Sequence, residues 1–353
     1  MKTHLSLILI IACLCFVSCT PDDTIPTESL YVVGLVYDDV SQTGMAAYWQ
    51  NGVQKIIPGS ERVRPISIDI IDGQINITWL TFEQRDNRYF NLIQVWKEDG
   101  TITDINTEIS TFGIDAFEAN NDLYVVGIER ESDITPGRPV YWKNGIKIAL
   151  PMMPTGYVQE VQEMTLRGNE VVGVGSFHST DGFIRPLIWE NGTVQELPLG
   201  TYEGGSASSI SIDDGITYIG GSVYDRETER EYMAIWTNGE LEVIVTDEEY
   251  RRIGITKMRV VNGDRVYTGW KVDYNRLYEA FYYEAGERVI LSNDPENVNY
   301  LIDELIFDGR NIITMGQSNS FSRDLPAYSF SINGVHQTLA GLQATWINDV
   351  LLP

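Results

Sequence analysis

Short runs of β-branched and other apolar residues alternate with turn residues along most of the chain. In one unit of this pattern, the apolar runs 171–175 and 186–189 are separated by a polar stretch. The dipeptide Asn191-Gly192 follows, and both residues tolerate the positive φ angles of a two-residue hairpin loop. Residues 193–197 are therefore predicted to return antiparallel, and the earlier run 161–166 completes four antiparallel strands.

An aromatic residue recurs near the end of the third strand of each unit. The seven positions are Trp49, Trp96, Trp142, Trp189, Trp236, Tyr283 and Phe330, with gaps of 47, 46, 47, 47, 47 and 47 residues. Four short strands in a repeat of this length are typical of one propeller blade. The pattern therefore predicts an all-β fold, a seven-bladed β-propeller of four-stranded antiparallel blades.

The two ends of the chain predict how the ring closes. The first unit begins at Leu30 with its second strand, so its innermost strand must come from elsewhere. The run 346–352 at the C-terminus belongs to no other unit and resembles the innermost strands. We predict that this C-terminal strand pairs in the first blade, which removes the unpaired edge. The predicted blades are 30–58 plus 342–353, 59–106, 107–151, 152–199, 200–246, 247–292 and 293–341.

The N-terminus has the layout of a secretory signal with a lipid-modified cysteine. Lys2 precedes an apolar run over 5–17, and Cys19 follows it. We predict a signal peptide over 1–18, a tether over 19–29 and one propeller domain over 30–353. Cys13 is the rival modification site, but cleavage there leaves only about eight apolar residues in the signal.

This segment resembles bacterial lipoprotein signals, especially those of Bacteroidetes, in which acidic residues such as Asp22 and Asp23 soon follow the cysteine. The resemblance implies a lipid-anchored protein of the cell envelope, at the outer membrane and facing either the periplasm or the cell surface. The lipid anchor is then its only expected membrane contact.

Charge and composition narrow the partners and cofactors. A net charge of −25 argues against nucleic acid and against an anionic membrane surface, which both require clustered cations. The only cysteines besides Cys19 lie within the predicted signal, so no thiolate metal site is expected. Calcium is a conceivable ligand, although no loop has the regularly spaced acidic residues and glycine of a dedicated calcium site. The sequence thus predicts a monomeric domain without a cofactor.

Loop lengths indicate which face of the predicted ring binds ligands. The loops between second and third strands, and the links between blades, are long and differ from one repeat to the next, whereas the hairpins on the opposite side are short. We name these sides the long-loop face and the short-turn face. Variable loops on a repeating scaffold usually carry the binding site, so the long-loop face is the predicted functional face.

The second-to-third loops hold nine of the eighteen arginines and several aromatic residues. Guanidinium groups pair with carboxylate or sulfate, and aromatic rings stack on sugars, so an acidic glycan is one expected ligand. The same loops contain many carboxylates, and exposed ion pairs are the alternative interpretation. The candidate residues are Arg88, Arg138, His178, Arg185, Tyr224, Tyr274, Arg276 and Arg323.

A second set of candidates lies along the predicted central channel. Aligning the innermost strands places one polar residue at an equivalent position in each, namely Ser67, Asp115, Gln162, Ser209, Lys257, Asp303 and Asn348. Such a ring could hold water, a cation or the end of a substrate. The alternative is that these side chains make hydrogen bonds between blades or to backbone turns.

The sequence offers few candidates for catalysis. Outside the signal, the histidines are His178 in a long loop and His336 in an outer strand, which excludes a multi-histidine metal site. An acidic pair, or His178 with Tyr274 as base and acid, would suit a polysaccharide lyase or glycoside hydrolase on the long-loop face. The absence of a nucleophile elbow and of a distinctive acidic pair favours a protein without catalytic activity.

The repeat also resembles a known extracellular family. Ile114-Asp115, then Val125-Val126-Gly127, then residues 139–145 and Leu150-Pro151 are similar to the HAF-type repeats of bacterial secreted proteins. The second and sixth units match the phrase poorly. The resemblance implies an extracellular propeller and no catalytic residue, because the shared residues belong to the scaffold.

Taken together, the sequence predicts a binding or scaffolding module of the cell envelope, with acidic glycans as candidate ligands. A polysaccharide lyase or glycoside hydrolase is the enzymatic alternative. A third alternative is a protein-interaction platform within an envelope complex.

Overall fold

The computed structural model describes most of the predicted propeller and none of the predicted signal or tether. The described residues are 30–38, 43–85, 88–105, 110–130, 137–154, 159–244, 250–273, 278–291, 300–318, 328–337 and 344–352. Within these ranges, no helix has the length and apolar character needed to cross a membrane.

The described strands form an all-β propeller with four-stranded antiparallel blades. There are five separate four-stranded sheets and one eight-stranded sheet. The larger sheet contains two antiparallel sets of four strands, joined by one parallel pairing between Glu231 and Arg252. The prediction of seven separate blades therefore fails at the fifth and sixth positions, because these two sets share a sheet.

The four-strand sets are numbered here in the order of the chain. Set 1 contains β1 (Tyr31–Asp38), β2 (Thr43–Gln50), β3 (Val53–Glu61) and the C-terminal β28 (Ala344–Leu351). Set 2 contains β4 (Val63–Ile71), β5 (Gln74–Arg85), β6 (Arg88–Lys97) and β7 (Ile102–Asp104). Set 3 contains β8 (Ser110–Ala119), β9 (Asp122–Arg130), β10 (Arg138–Lys143) and β11 (Ile146–Ala149). Set 4 contains β12 (Gln159–Arg167), β13 (Glu170–His178), β14 (Ile184–Glu190) and β15 (Thr193–Glu196).

The remaining sets follow the same plan. Set 5 contains β16 (Gly204–Asp213), β17 (Ile216–Asp225), β18 (Arg230–Thr237) and β19 (Glu240–Ile244). Set 6 contains β20 (Tyr250–Val261), β21 (Asp264–Asp273), β22 (Tyr278–Glu284) and β23 (Glu287–Ile290). Set 7 contains β24 (Tyr300–Phe307), β25 (Ile312–Ser318), β26 (Tyr328–Ile332) and β27 (Val335–Gln337).

The C-terminal strand takes the innermost place in set 1. β28 pairs antiparallel with β1, and the register aligns Tyr31 with Leu351 and Val32 with Val350. Ile347 and Val350 are buried in a cluster with Val32 and Trp49. The two ends of the described chain are thus joined by backbone hydrogen bonds and by a shared core.

The Asn-Gly dipeptides form the predicted two-residue turns. Asn191 and Gly192 have φ angles of 52° and 66°, and Asn144 and Gly145 have 49° and 80°. Two positive φ angles in succession define the turn type whose twist matches that of antiparallel strands. The Asn144 side chain also accepts the backbone N–H of Leu123 at 2.9 Å, which ties the turn to the neighbouring strand.

The periodic tryptophans pack between neighbouring sets. Trp236 is fully buried, and its indole N–H donates to the carbonyl oxygen of Pro198 in the preceding set at 2.7 Å. Trp189 donates to Pro151 in the same way at 2.8 Å. These rings therefore hold the scaffold together.

Each innermost strand carries a β-bulge near its middle. In set 4 the register passes from Val161 opposite Gly175 to Glu163 opposite Val174, so Gln162 has no partner on β13. A Cβ atom on Gly175 would lie 1.9 Å from the carbonyl oxygen of Glu160. The glycine that ends the apolar run of the second strand is therefore required by the bulge, which redirects the next side chain.

Candidate functional site

The residues that follow the bulges form a ring of polar side chains. At three of its seven positions, this ring is shifted by one residue from the ring that the sequence predicts. The residues that resume the pairing after each bulge are Ser67, Asp115, Glu163, Ser209, Lys257, Glu304 and Asp349. Four of these were predicted. The other three predicted residues, Gln162, Asp303 and Asn348, occupy the bulges themselves. Aligning the strands by sequence did not reveal this shift, because the extra residue of the bulge interrupts the alternation of side chains between the two faces of the strand.

A cavity of about 420 Å³ lies in the central channel. Its charged lining consists of Asp69, Asp115, Glu118, Glu163, Lys257, Arg259, Glu304 and Asp349. The lining residues come mostly from the second halves of the innermost strands, which run toward the short hairpins. The cavity therefore lies in the half of the channel nearer the short-turn face, on the opposite side from the predicted functional face.

An ion-pair network crosses one side of this cavity. Lys257 Nζ lies 3.4 Å from Glu163 Oε1 and 3.4 Å from Glu304 Oε2. Arg259 Nη2 lies 2.9 Å from Glu163 Oε1 and 3.3 Å from Glu304 Oε1. The two cations project from set 6 and link a carboxylate of set 4 to a carboxylate of set 7.

Glu163 is the most highly connected member of this network. Its Oε2 atom also accepts the Ser209 hydroxyl at 2.5 Å and the Ile210 N–H at 2.8 Å, so it ties set 4 to set 5. Burial alone would raise the pKa of Glu163, but Arg259, Lys257 and these hydrogen bonds outweigh it and hold the pKa at about 2.

Hydrogen bonds from the inner strands link other neighbouring sets as well. Asp349 accepts the Ile68 N–H at 2.9 Å, and Asp69 accepts the Glu118 N–H at 3.0 Å. Ser209 accepts the Met258 N–H at 2.9 Å. Two of the ring residues, Ser209 and Asp349, thus make contacts between sets of the kind that the second interpretation of the ring expects, and Asp69 beside the ring makes a third.

The opposite wall of the cavity carries carboxyl groups without such ion pairs. Burial raises the pKa of Asp69 to about 7 and that of Asp115 to about 6. Burial, together with the nearby Glu304 carboxylate, raises the pKa of Asp349 well above its usual value. Near neutral pH, Asp69 and Asp115 are therefore partly protonated, so the wall presents both donors and acceptors of hydrogen bonds.

The structure places four of the predicted long-loop candidates. Arg138 and His178 are exposed, and Tyr224 is half-buried with its ring 6.3 Å from that of Phe183. Arg185 lies 2.6 Å from Asp181 and 3.2 Å from Glu196, so it is held by two carboxylates. Tyr274, Arg276, Arg323 and the side chain of Arg88 lie outside the described residues.

Sequence reasoning missed Glu163, Glu304, Asp349, Asp69 and Arg259. Their positions depend on the bulge, and the glycine opposite it is the one signal that could have revealed the shift. His336, the other candidate histidine, has a side chain outside the described residues. Among the side chains that the structure describes, no group of three or more histidine, cysteine, aspartate or glutamate residues is placed to hold a metal ion.

Two solved structures from archaeal peptidases have a similar fold. The β-propeller domain of the Trilobed protease from Pyrococcus furiosus matches with a TM-score of 0.58 and 13% identity, covering 90% of this chain and 94% of that domain. The acylaminoacyl peptidase from Pyrococcus horikoshii matches with a TM-score of 0.54 and 14% identity, covering 88% of this chain and 50% of the peptidase. At these identities the likeness shows the propeller fold alone.

The chain therefore spans about half the length of the peptidase. The Trilobed protease domain has an open velcro topology, whereas here β28 pairs with β1. No protein-family model and no curated protein matches the sequence. The likeness to HAF-type repeats thus stays a prediction.

Proposed function

We propose that this protein is a lipid-anchored binding module of the cell envelope, modified at Cys19, that holds a small polar ligand in its central channel. In this proposal, sets 5 and 6 act as two blades of a seven-bladed ring, since one pairing joins them while each keeps its own four antiparallel strands. The lipoprotein assignment rests on the N-terminal sequence.

The channel cavity is the observation that carries the binding role. Its volume of about 420 Å³ falls within the range of small-molecule sites, roughly 300–1,000 Å³. Lys257 and Arg259 line it beside the carboxyl groups of Asp69 and Asp115, with Ser211 among the polar neighbours. A polyhydroxylated ligand, such as the uncharged end of a glycan, offers the matching mixture of donors and acceptors.

The same lining disfavours an acidic glycan at this site. Both cations are already paired with Glu163 and Glu304, and the remaining carboxyl groups would repel an anionic ligand. On the long-loop face, the described contacts of Arg185 with Asp181 and Glu196 support the ion-pair interpretation there. We therefore place the ligand in the channel and prefer a neutral sugar.

A thermal-shift screen of neutral and acidic mono- and oligosaccharides at pH 7 tests this function. A ligand present at 100 times its dissociation constant adds about 2.7 kcal/mol to the free energy of unfolding. We expect a rise in melting temperature with at least one neutral sugar. Stabilisation by acidic glycans alone, or by no sugar, would count against the proposal. Growth of ultraviolet absorbance from an unsaturated product would instead support the lyase alternative.

A further inference from the structure

The last strand of the chain combines two roles. β28 pairs with β1 and so joins the C-terminal end of the described chain to its beginning. Residues 349–352 also form part of the wall of the channel cavity. Any change in how firmly β28 is held would therefore affect both the closure of the ring and the shape of the cavity.

Asp349 is the acidic residue through which β28 reaches the next set. Its Oδ2 atom accepts the Ile68 N–H of β4 at 2.9 Å, and its Oδ1 atom accepts the N–H of Val350 at 2.8 Å. The first bond connects residues 281 positions apart and links set 1 to set 2. A proton on Oδ1 leaves Oδ2 able to accept the Ile68 N–H, so the link to set 2 does not require the charged form, and the bond given up is the local one from Val350.

The charged groups around Asp349 come from four inner strands. Glu304 on β24, Asp69 on β4 and Asp115 on β8 all disfavour its charged form. The cations that line the same cavity are Lys257 and Arg259 on β20, and Glu163 and Glu304 hold both of them. Ionised Asp349 would therefore face three other carboxyl groups, while the nearby positive charge is already paired.

We propose that β28 is a proton-controlled clasp: it closes the ring firmly while Asp349 is neutral, and its hold weakens when Asp349 loses its proton. Weakening would begin at β28, because this strand carries the charge of Asp349. It also lies at the edge of its described sheet and pairs there with one strand, β1. Sets 4 to 7 would keep their own strand pairing. This inference concerns ring closure and stands whether or not the channel binds a sugar.

The direction of the pH effect follows from protonation. Burial raises the pKa of Asp349 well above its value in an unfolded chain. The closed ring then binds more protons than the open one, so its stability is full below the ordinary aspartate pKa of about 4 and is lost as pH rises through the raised value. Each unit of pH between these two values reduces the closing equilibrium by about tenfold.

Hydrogen–deuterium exchange of the purified protein, corrected for intrinsic exchange rates, measures the hold on β28 directly. As pH rises from 5 to 8, we expect protection of amides in 344–352 to fall relative to amides in β13, because the closed ring loses the proton that the raised pKa of Asp349 lets it keep. The Asp349→Asn variant should remove most of this fall, because its side chain keeps an acceptor oxygen and cannot ionise. An unchanged pH dependence in Asp349→Asn would overturn the proposal.

Two further variants keep the test decisive. Asp213→Asn is the matched control, since Asp213 accepts the N–H groups of Asn262 and Gly263 in the next set but does not line the cavity. It should leave the pH dependence of β28 as in the natural chain. If Asp349→Asn fails to fold, Asp115→Asn removes one of the facing carboxylates and should reduce the fall in protection. No reduction there would also overturn the clasp.

Discussion

Arg259 Nη2 lies 2.9 Å from Glu163 Oε1, although the two residues belong to sets 6 and 4. Set 5 lies between these two sets in the chain, and its Ser209 and Ile210 also donate hydrogen bonds to Glu163. The Glu163 carboxylate thus links set 4 to both set 5 and set 6. The inner ring is held together by side chains of opposite charge as well as by apolar packing between sets.

Removing Glu163 should be strongly destabilising. The Glu163→Ala variant leaves Lys257 and Arg259 with fewer partners and leaves the Ile210 N–H without its acceptor. We expect a loss of about 3–5 kcal/mol in the free energy of unfolding, measured by urea denaturation. The quadruple variant Glu163→Met, Lys257→Met, Arg259→Met, Glu304→Met removes the whole network without leaving an unpaired charge and should recover part of that loss. A loss below about 1 kcal/mol in Glu163→Ala would show that the network contributes little.

The stability of the whole protein should have a maximum in mildly acidic solution. Asp69, with its pKa raised to about 7, contributes stability that is full below pH 4 and is lost as pH rises through 7. Glu163, with its pKa lowered to about 2, contributes stability that is present above pH 4 and is lost as pH falls through 2. Melting temperatures across pH 2–8 should therefore peak near pH 4–5. A steady rise up to pH 8 would contradict these assignments.

The glycines opposite the bulges should not tolerate a side chain. A Cβ on Gly221 would lie 1.9 Å from the carbonyl oxygen of Ser206, so Gly221→Ala must displace backbone. We expect a loss of about 2–4 kcal/mol or failure to fold. Gly44→Ala is the matched control, because a Cβ there meets nothing within 4 Å. Equal stability of the two variants would refute the explanation of the bulge.

Removing the C-terminal strand should open the ring. Deletion of 344–353 exposes the inner edge of β1 and removes Ile347 and Val350 from their buried cluster. We expect a far lower melting temperature and binding of a dye that detects exposed apolar surface. Deletion of Pro353 alone is the control and should change little. A truncated chain that melts with the full chain would rule out closure by β28.

The sequence predicted the features that depend on local residues. Asn191-Gly192 predicted its turn because few residue pairs adopt two positive φ angles at low energetic cost. Trp236 predicted the repeat because its buried ring occupies the same position in the unit as the other periodic aromatic residues. The run at the C-terminus identified the closing strand because every other unit was complete.

The site depended on relationships that a single strand does not reveal. The inward direction of Glu163 depends on the bulge at Gln162 and on Gly175 in the neighbouring strand. Its ion pairs join residues 94 and more positions apart, which no local pattern encodes. The single pairing of Glu231 with Arg252, which merges sets 5 and 6, is likewise a long-range contact.

Calorimetric titration of a neutral oligosaccharide into three forms of the protein determines whether the ligand binds in the channel. Asp115→Leu replaces a polar group in the wall of the cavity with a bulkier apolar one, whereas Arg138→Ala changes an exposed residue of the long-loop face. We predict that the natural protein and Arg138→Ala bind with similar affinity, and that Asp115→Leu binds at least about tenfold more weakly, a loss of about 1.4 kcal/mol. Weaker binding in Arg138→Ala with full binding in Asp115→Leu would place the site on the long-loop face and contradict the account.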